Sequence, residues 1–198
     1  MNILINIRNK ILTILSRIKF SPYPMWFHYQ PNCYKIKGKD VRELISLILP
    51  GDIILRGFES YIDGWIIGKW SHIGIVSSKK EIIHAMSPTV FEEDVINFFR
   101  ADRIVILRPN LEEDEINKAI EKAEGFKGLK YDFNFNTNDP DEVYCSELVY
   151  LCFEEYKQQL GMEKKEKKIL FGLIKKLLVE PKAFLDFQGF KEIKRIRF

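Results

Sequence analysis

Four short runs in which apolar residues alternate with other residues constrain the fold of this chain more than any other feature. They lie at Asp52–Arg56, His72–Ser77, Glu81–Met86 and Arg103–Arg108. A two-residue period is typical of strands, and Lys79-Lys80 suits a hairpin turn between the second and third runs. Helical patterns and one last alternating run at Phe190–Arg197 follow. This order predicts an α+β fold with a mainly antiparallel sheet, and not a βαβ series.

Weaker patterns predict the remaining elements. Helices are expected at 1–20, Val41–Leu49, Phe91–Phe99, from Asn110 to about Gly125, at Val143–Leu160 and between the Lys164–Lys168 turn and Pro181. A short helix or loop is expected at Ser60–Lys69, and a short strand at Tyr34–Lys37. The chain of 198 residues is long enough for one domain with a sizeable core.

The first 20 residues have the pattern of a basic amphipathic helix. Leu4, Ile11, Leu15 and Ile18 recur at helical spacing, with cations between them. These cations interrupt the apolar run well before the ~20 residues that a bilayer span needs, and the apolar core is too short for a secretory signal. Two interpretations stay open: the helix lies on a membrane surface, or it packs on its own domain.

Charge is unevenly distributed, although the net charge is only +3. Residues 1–39 carry seven Lys or Arg and no acid, and residues 157–198 carry twelve against five acids. Basic ends suit an anionic membrane, although solvated helix faces are the favoured interpretation. Because no aromatic and glycine motif accompanies the charge, we expect no nucleic-acid partner. Three cysteines without a regular spacing exclude a disulfide scaffold and a CxxC zinc site, and favour a reducing, cytoplasmic location.

Cys145 is the strongest candidate nucleophile, since it stands at the predicted first turn of a helix. Unpaired N–H groups and the helix dipole stabilise a thiolate there, so we expect a lowered thiol pKa. Two backbone N–H groups near the helix start can also receive an oxyanion. The alternative is a buried cysteine that acts as a small apolar side chain. Cys152, two turns deeper, is expected to be inert core, and Cys33 has no partner signal in the sequence.

His72 and His84 are the candidate partners of this thiol. His72 opens one predicted strand, and His84 lies inside the next. If these strands pair, the two rings can be neighbours, and one can orient the other as the third group of a triad does. The alternative is two separately hydrogen-bonded structural histidines. The third histidine, His28, lies in an aromatic run and is expected to be structural.

Five motifs in this order give the chain a family resemblance. They are Pro50-Gly51-Asp52-Ile53-Ile54-Leu55, Ser71-His72-Ile73-Gly74-Ile75-Val76, Ile83-His84-Ala85, Tyr131-Asp132 and Tyr144-Cys145-Ser146-Glu147-Leu148-Val149. Together they resemble the circularly permuted NlpC-type papain-like hydrolases, and within them the bacterial YiiX/YaeF/YycO-like cysteine hydrolases. The resemblance covers about residues 49–156. It implies a small antiparallel sheet packed against the helix that carries the cysteine.

The resemblance also implies roles for individual residues. Cys145 is the nucleophile, His72 the general base and His84 the residue that orients it. Many permuted relatives have Glu at the third place, whereas His is the pattern of ordinary NlpC proteins and of lecithin retinol acyltransferase; Glu81 is the alternative here. Tyr131 and Ser146 are predicted to contact the substrate, and Asp52 is predicted to be structural.

The implied function is a cysteine hydrolase that cleaves an amide, peptide or ester bond through an acyl-cysteine, without a metal or organic cofactor. Its substrate would be a small molecule, a peptide or an acyl-lipid. Two alternatives stay open: a lipid-directed acyltransferase or acyl hydrolase, held at an anionic membrane by residues 1–20, and a non-enzymatic module that binds a ligand or a membrane. Residues 1–48 form the predicted N-terminal region, and residues 49–198 the papain-like domain.

Overall fold

The computed structural model describes residues 34–58, 70–135, 139–169 and 174–196, the strand residues 18–22 and 25–29, and positions 7 and 11. Most of the helix predicted at 1–20, the segment predicted at Ser60–Lys69, and Cys33 lie outside these residues. The described strands are β1 (Ile18–Pro22), β2 (Met25–Tyr29), β3 (Ile53–Gly57), β4 (His72–Val76), β5 (Glu81–Met86), β6 (Thr89–Asp94), β7 (Arg103–Pro109), β8 (Lys130–Tyr131), β9 (Glu142–Val143), β10 (Lys165–Ile169), β11 (Ile174–Leu178) and β12 (Phe190–Ile196).

Eight of these strands form one sheet, in the order β12-β7-β3-β4-β5-β6-β8-β9. All neighbours in it are antiparallel except the short parallel pair of β8 and β9. Two separate hairpins, β1-β2 and β10-β11, complete the described strands. The α+β class and the antiparallel sheet predicted from the alternating runs are confirmed.

Helices cover both faces of the main sheet. The described α-helices are α1 (Gly38–Leu47), α2 (Val95–Phe98), α3 (Glu113–Gly125), α4 (Cys145–Cys152) and α5 (Lys157–Leu160). On one face, α3 and α4 pack on a core that includes Ile73, Ile75 and Ile83. On the other face, α1 and α2 pack on a second core that includes Ile54 and Ile82. Because both faces are buried, β3 and β4 are apolar along most of their length.

Strands occupy part of two predicted helices. Phe91–Phe99 has helical spacing, but residues up to Asp94 pair with all six residues of β5. The Asp94 carboxylate then accepts the backbone N–H of Ile96 and caps α2, so the helix begins only at Val95. The segment before Pro181 is the β10-β11 hairpin, paired from Lys165 opposite Leu178 to Ile169 opposite Ile174. In both segments strand pairing overrides a local helical pattern.

Three further boundaries differ from the prediction. The helix predicted at 1–20 cannot extend through Ile18–Phe20, because these residues belong to β1. Tyr34–Lys37 is not a strand; the Ile36 N–H donates to the Ala101 carbonyl, and the Lys35 N–H donates to the Asp102 carboxylate. The helix predicted at Val143–Leu160 is interrupted after Cys152 by a 3₁₀ turn at Glu154–Tyr156.

Asp52 has the surroundings of a structural residue. Its carboxylate is buried and accepts two bonds from Arg108, from Nε at 2.7 Å and from Nη2 at 2.8 Å. It also accepts the backbone N–H of Leu49 at 2.8 Å. These bonds tie the chain after α1 to the start of β3 and to β7.

Candidate active site

Cys145 is the first residue of α4 and is buried, with 5% of its surface exposed. Its helix lies against the sheet because Leu148 and Val149 pack into the core of that face. The backbone N–H groups of Ser146, at the start of the helix, and of Ile73, in β4, favour the thiolate and lower the pKa of the thiol. The thiol therefore lies at a helix N-terminus near the backbone of β4.

The N–H of Ile73 points toward β5. In β4 the N–H of Val76 bonds to the carbonyl of Asp52, just before β3, so the N–H of Ile73 points the other way. The regular pairing of β4 with β5 joins Ile75 to Ile83 and Val76 to Ile82, and does not include Ile73.

The two imidazoles predicted to be neighbours are in direct contact. His72 Nε2 and His84 Nδ1 lie 2.8 Å apart, and the rings meet edge to face at a centroid distance of 4.9 Å. Gly74 makes this approach possible, because a Cβ there would lie 3.1 Å from the Cβ of His84. The contact uses Nε2 of His72, and no described residue bonds to its Nδ1.

Burial governs the protonation of the thiol and of both rings. It is the main cause that raises the pKa of the Cys145 thiol, against the lowering effect of the N–H donors. Burial, the positive charge of Arg56 and the neighbouring His84 hold the pKa of His72 well below its usual range. The expected lowering of the thiol pKa is therefore wrong for this structure. Near neutral pH the site holds a neutral thiol and neutral imidazoles.

Glu93 and Arg56 extend this polar cluster, and sequence analysis missed both. Glu93 Oε2 lies 3.2 Å from His84 Nε2 and 3.5 Å from Arg56 Nη1. The guanidinium is buried, donates to the Phe98 carbonyl and lies 4.2 Å from the centre of the Phe98 ring. Glu93 stands in the run Glu92-Glu93-Asp94, which reads as solvent-exposed in the sequence. The one sequence signal is its position two residues after Phe91, the strand partner of His84. This position has a meaning only once the register of β5 and β6 is known.

The two predicted substrate residues lie near Cys145. Burial, and after it the nearby Cys145, raise the pKa of Tyr131 well above its usual value. The Ser146 hydroxyl is buried and donates to the Val179 carbonyl at 2.9 Å. Any contact of Ser146 with a substrate would therefore come from its backbone. For both residues a substrate contact stays a prediction.

Other candidate residues lie away from this cluster. Glu81, the alternative third residue, is exposed at the start of β5, about 10 Å along the strand from His84. Cys152 is buried two turns further along α4, and burial raises its pKa to about 12. Among the described residues, no three or more His, Cys, Asp or Glu side chains form a group that could hold a metal ion.

Comparison with known families identifies the chain. Residues 48–195 match the family described as permuted papain-like amidase enzyme, YaeF/YiiX, C92 family. The chain belongs to this family. It is accordingly a cysteine hydrolase of the amidase and peptidase-like kind, and the resemblance drawn from the five motifs is confirmed.

Among solved structures, the chain is similar to the metalloprotein yiiX from Escherichia coli O157:H7. The TM-score is 0.62 at 21% sequence identity, over 77% of this chain and 99% of the other. At that identity the likeness supports the permuted papain-like fold alone. No curated protein matches the chain in sequence.

Proposed function

We propose that this amidase cleaves an amide, peptide or ester bond through an acyl-enzyme on Cys145, with His72 as general base and His84 as the residue that orients it. The observation that carries the proposal is the buried 2.8 Å contact of the two imidazoles, which stand on the two strands against which the helix of Cys145 packs. A buried pair of histidines has a desolvation cost, which a catalytic role would explain better than packing does.

The steps follow from the free nitrogen and the N–H donors. His72 Nδ1 takes the thiol proton as the sulfur attacks the carbonyl carbon. The carbonyl oxygen becomes an oxyanion that N–H groups at the start of α4 stabilise. When the tetrahedral intermediate collapses, the proton on His72 passes to the leaving amine or alcohol. Water, deprotonated by His72, then attacks the thioester and releases the acid and the thiol.

The neutral resting state makes this a general-base mechanism. The thiol pKa is raised and the pKa of His72 is lowered, so a preformed thiolate and imidazolium are not expected. Proton transfer then accompanies attack, and orientation of the imidazole becomes important for the rate. This requirement fits a base whose ring is held by a second ring.

Trapping the acyl-enzyme tests the proposal. We would incubate the protein with amide, peptide and acyl-lipid libraries and map mass additions by peptide mass spectrometry. We expect an acyl group on Cys145 and none after Cys145→Ala, whereas Cys152→Ala, a change of the buried cysteine on the same helix, should leave the adduct. An adduct elsewhere, or turnover that survives Cys145→Ala, contradicts the assignment.

An acyl-lipid substrate is the second candidate, and exposed residues near the N-terminus support it. Ile7 and Ile11 are helical, one turn apart, and 49% and 50% exposed. Two apolar side chains exposed on one side of a basic segment suit a helix that lies on a membrane surface better than one packed on its domain. Among the described residues, no helix is long and apolar enough to cross a membrane.

Vesicle co-sedimentation tests this surface role. We expect the full chain to pellet with anionic vesicles, less so as salt rises, because salt screens exposed charges. Deletion of residues 1–17, which leaves β1 intact, should abolish pelleting and preserve turnover of a soluble substrate. Equal pelleting of both proteins removes the main reason to prefer a lipid over a peptide.

A further inference from the structure

We propose that Glu93 is a positioning residue that selects the tautomers of both imidazoles and thereby makes His72 a base toward Cys145. The inference rests on the proposed function of that pair. It concerns a carboxylate that touches neither the thiol nor the base and acts only through His84.

The contact between the two rings leaves two possible arrangements. A hydrogen bond between His72 Nε2 and His84 Nδ1, at 2.8 Å, needs one proton between the two nitrogens. If His72 supplies it from Nε2, neutral His72 has a bare Nδ1, which can take a proton from the thiol. If His84 supplies it from Nδ1, neutral His72 must carry its proton on Nδ1 and cannot act as a base. The ring contact by itself does not choose between them.

Glu93 makes the choice at the far side of His84. Its Oε2 lies 3.2 Å from His84 Nε2, off the direction of a linear hydrogen bond. At that distance an anion still favours an N–H and repels a lone pair, and the ring is fully buried, so water does not screen the contact. His84 therefore carries its proton on Nε2 and presents a bare Nδ1 to His72.

Arg56 keeps Glu93 in the ionised state that this selection needs. The guanidinium Nη1 lies 3.5 Å from the same Oε2 atom. Contacts with His84 and Arg56 lower the pKa of the Glu93 carboxyl, although burial acts in the opposite direction. Without the carboxylate, the nearest charge to His84 would be the Arg56 cation, which favours a lone pair on Nε2 and hence the opposite tautomer.

The proposed series of hydrogen bonds and charges then begins at the Arg56 guanidinium and ends at His72. The Glu93 carboxylate favours N–H at His84 Nε2, and bare His84 Nδ1 accepts the Nε2 proton of His72. His72 Nδ1 is then bare and able to accept a proton. Each residue is set by the one before it, as a carboxylate bound to a metal-ligating or catalytic histidine sets its tautomer.

Nitrogen NMR reads these tautomers directly, without a substrate. In protein labelled with ¹⁵N-histidine, long-range ¹⁵N–¹H correlations near neutral pH distinguish a bare ring nitrogen from a protonated one. The chain has three histidines, so a His28→Gln variant removes the third ring and simplifies assignment. We expect Nε2–H and a bare Nδ1 on both His72 and His84. A proton on Nδ1 of His84 in the unaltered protein overturns the proposal.

Substitutions at Glu93 separate selection from simple packing. Glu93→Ala should move the proton of His84 to Nδ1 and lower kcat about 10²- to 10³-fold with little change in KM, less than the loss of a carboxylate in direct contact with the base. Glu93→Gln should keep the tautomers, because its amide oxygen can take the place of Oε2, and should lose about tenfold or less. Unchanged tautomers in a folded Glu93→Ala protein contradict the mechanism.

Glu92→Ala is the matched control. Glu92 is the adjacent residue on the opposite side of β6, where it bonds to Ser77 and Lys127. It should leave both the spectrum and the rate unchanged. The spectrum of the unaltered protein needs neither turnover nor a variant. The proposed tautomers can therefore be refuted even if acyl-Cys145 is found, and they can be found even if acyl-Cys145 is not.

Discussion

Gly74→Ala tests whether the close approach of β4 and β5 sets the geometry of the imidazole pair. An added Cβ would lie 2.7 Å from Ile82 Cγ2, 3.1 Å from the Cβ of His84 and 3.1 Å from the Ile83 carbonyl oxygen. The methyl group of Ile82 ends a side chain and can rotate away. The other two atoms are fixed to the backbone of β5, so the strand itself must move by several tenths of an ångström.

Two opposing effects set the size of the change in stability. Overpacking of a core by one methyl group costs about 1–3 kcal/mol. Replacement of glycine by alanine in a strand returns about 0.5–1 kcal/mol, since the unfolded chain loses freedom. Overpacking prevails, and we expect a net loss of about 0.5–2 kcal/mol, or roughly 1–8 °C in Tm for a chain of this length.

Activity should fall further than this loss of stability explains. The bond between His72 and His84 is 2.8 Å long, and a strand shift of a few tenths of an ångström moves it toward the limit for a hydrogen bond. We would measure urea unfolding by circular dichroism and kcat/KM on the same preparations. Gly125→Ala is the control, because no atom lies within 4 Å of its added Cβ at the end of α3. It should gain up to about 1 kcal/mol at unchanged activity. A Gly74→Ala protein that is as stable and active as the unaltered one refutes the reasoning.

Three further predictions follow from the site. Iodoacetamide labelling of Cys145 should accelerate as pH rises through neutrality, because burial raises the thiol pKa and the thiolate is the reactive form. His72→Ala should slow the labelling. A labelling rate that stays flat below neutral pH indicates a preformed thiolate and contradicts this prediction. His84→Ala should lower turnover less than Cys145→Ala does, and His84→Gln should retain more activity than His84→Ala; full activity in His84→Ala moves the third role elsewhere. Burial raises the pKa of Glu147 to about 7, from 4.5 in an unfolded chain, so the free energy of unfolding should fall by about 2–3 kcal/mol as pH rises between these values. Glu147→Gln should remove that fall. Unfolding curves with the same pH dependence in both proteins contradict this prediction.

The strands were predictable where alternation and burial agree. β3, β4, β5, β7 and β12 all begin or end within two residues of the predicted bounds. Each has apolar residues that the sheet buries, and a short polar turn separates β4 from β5. These signals are local, so one sequence was enough to predict the sheet and the α+β class.

The errors arose where helical and strand patterns coincide. In Thr89–Phe99 the residues Phe91, Val95 and Phe98 recur at helical spacing, yet only the last four residues before Phe99 form α2. Strand pairing with β5 decides the rest, and that pairing is not visible in a window of the sequence. The prediction of a helix before Pro181 was wrong for the same reason, because Lys165–Ile169 pairs with Ile174–Leu178.

The contact of His72 with His84 was predictable because histidines are scarce in this chain and the two stand on neighbouring predicted strands. Glu93 and Arg56 were not, since the chain has 28 acids and 31 Lys or Arg, and most of them are solvated. A buried charge can be distinguished from an exposed one only once the register of β5 and β6 is known. The thiol pKa was mispredicted because the helix start was visible in the sequence and the depth of burial was not.

The end of the β4-β5 pairing bears on the proposed catalytic arrangement. Strand alternation turns His72 and His84 toward the face of Phe98, whereas Cys145 belongs to the core of the opposite face. A continuous sheet would separate a nucleophile and a base placed on opposite faces. Here the regular pairing stops at Ile75, and the N–H of Ile73, the residue after His72, lowers the pKa of the Cys145 thiol. Extending the β4-β5 ladder to Ile73 would pair this N–H within the sheet, so the proposed mechanism requires the pairing to end there, with Gly74 beside it.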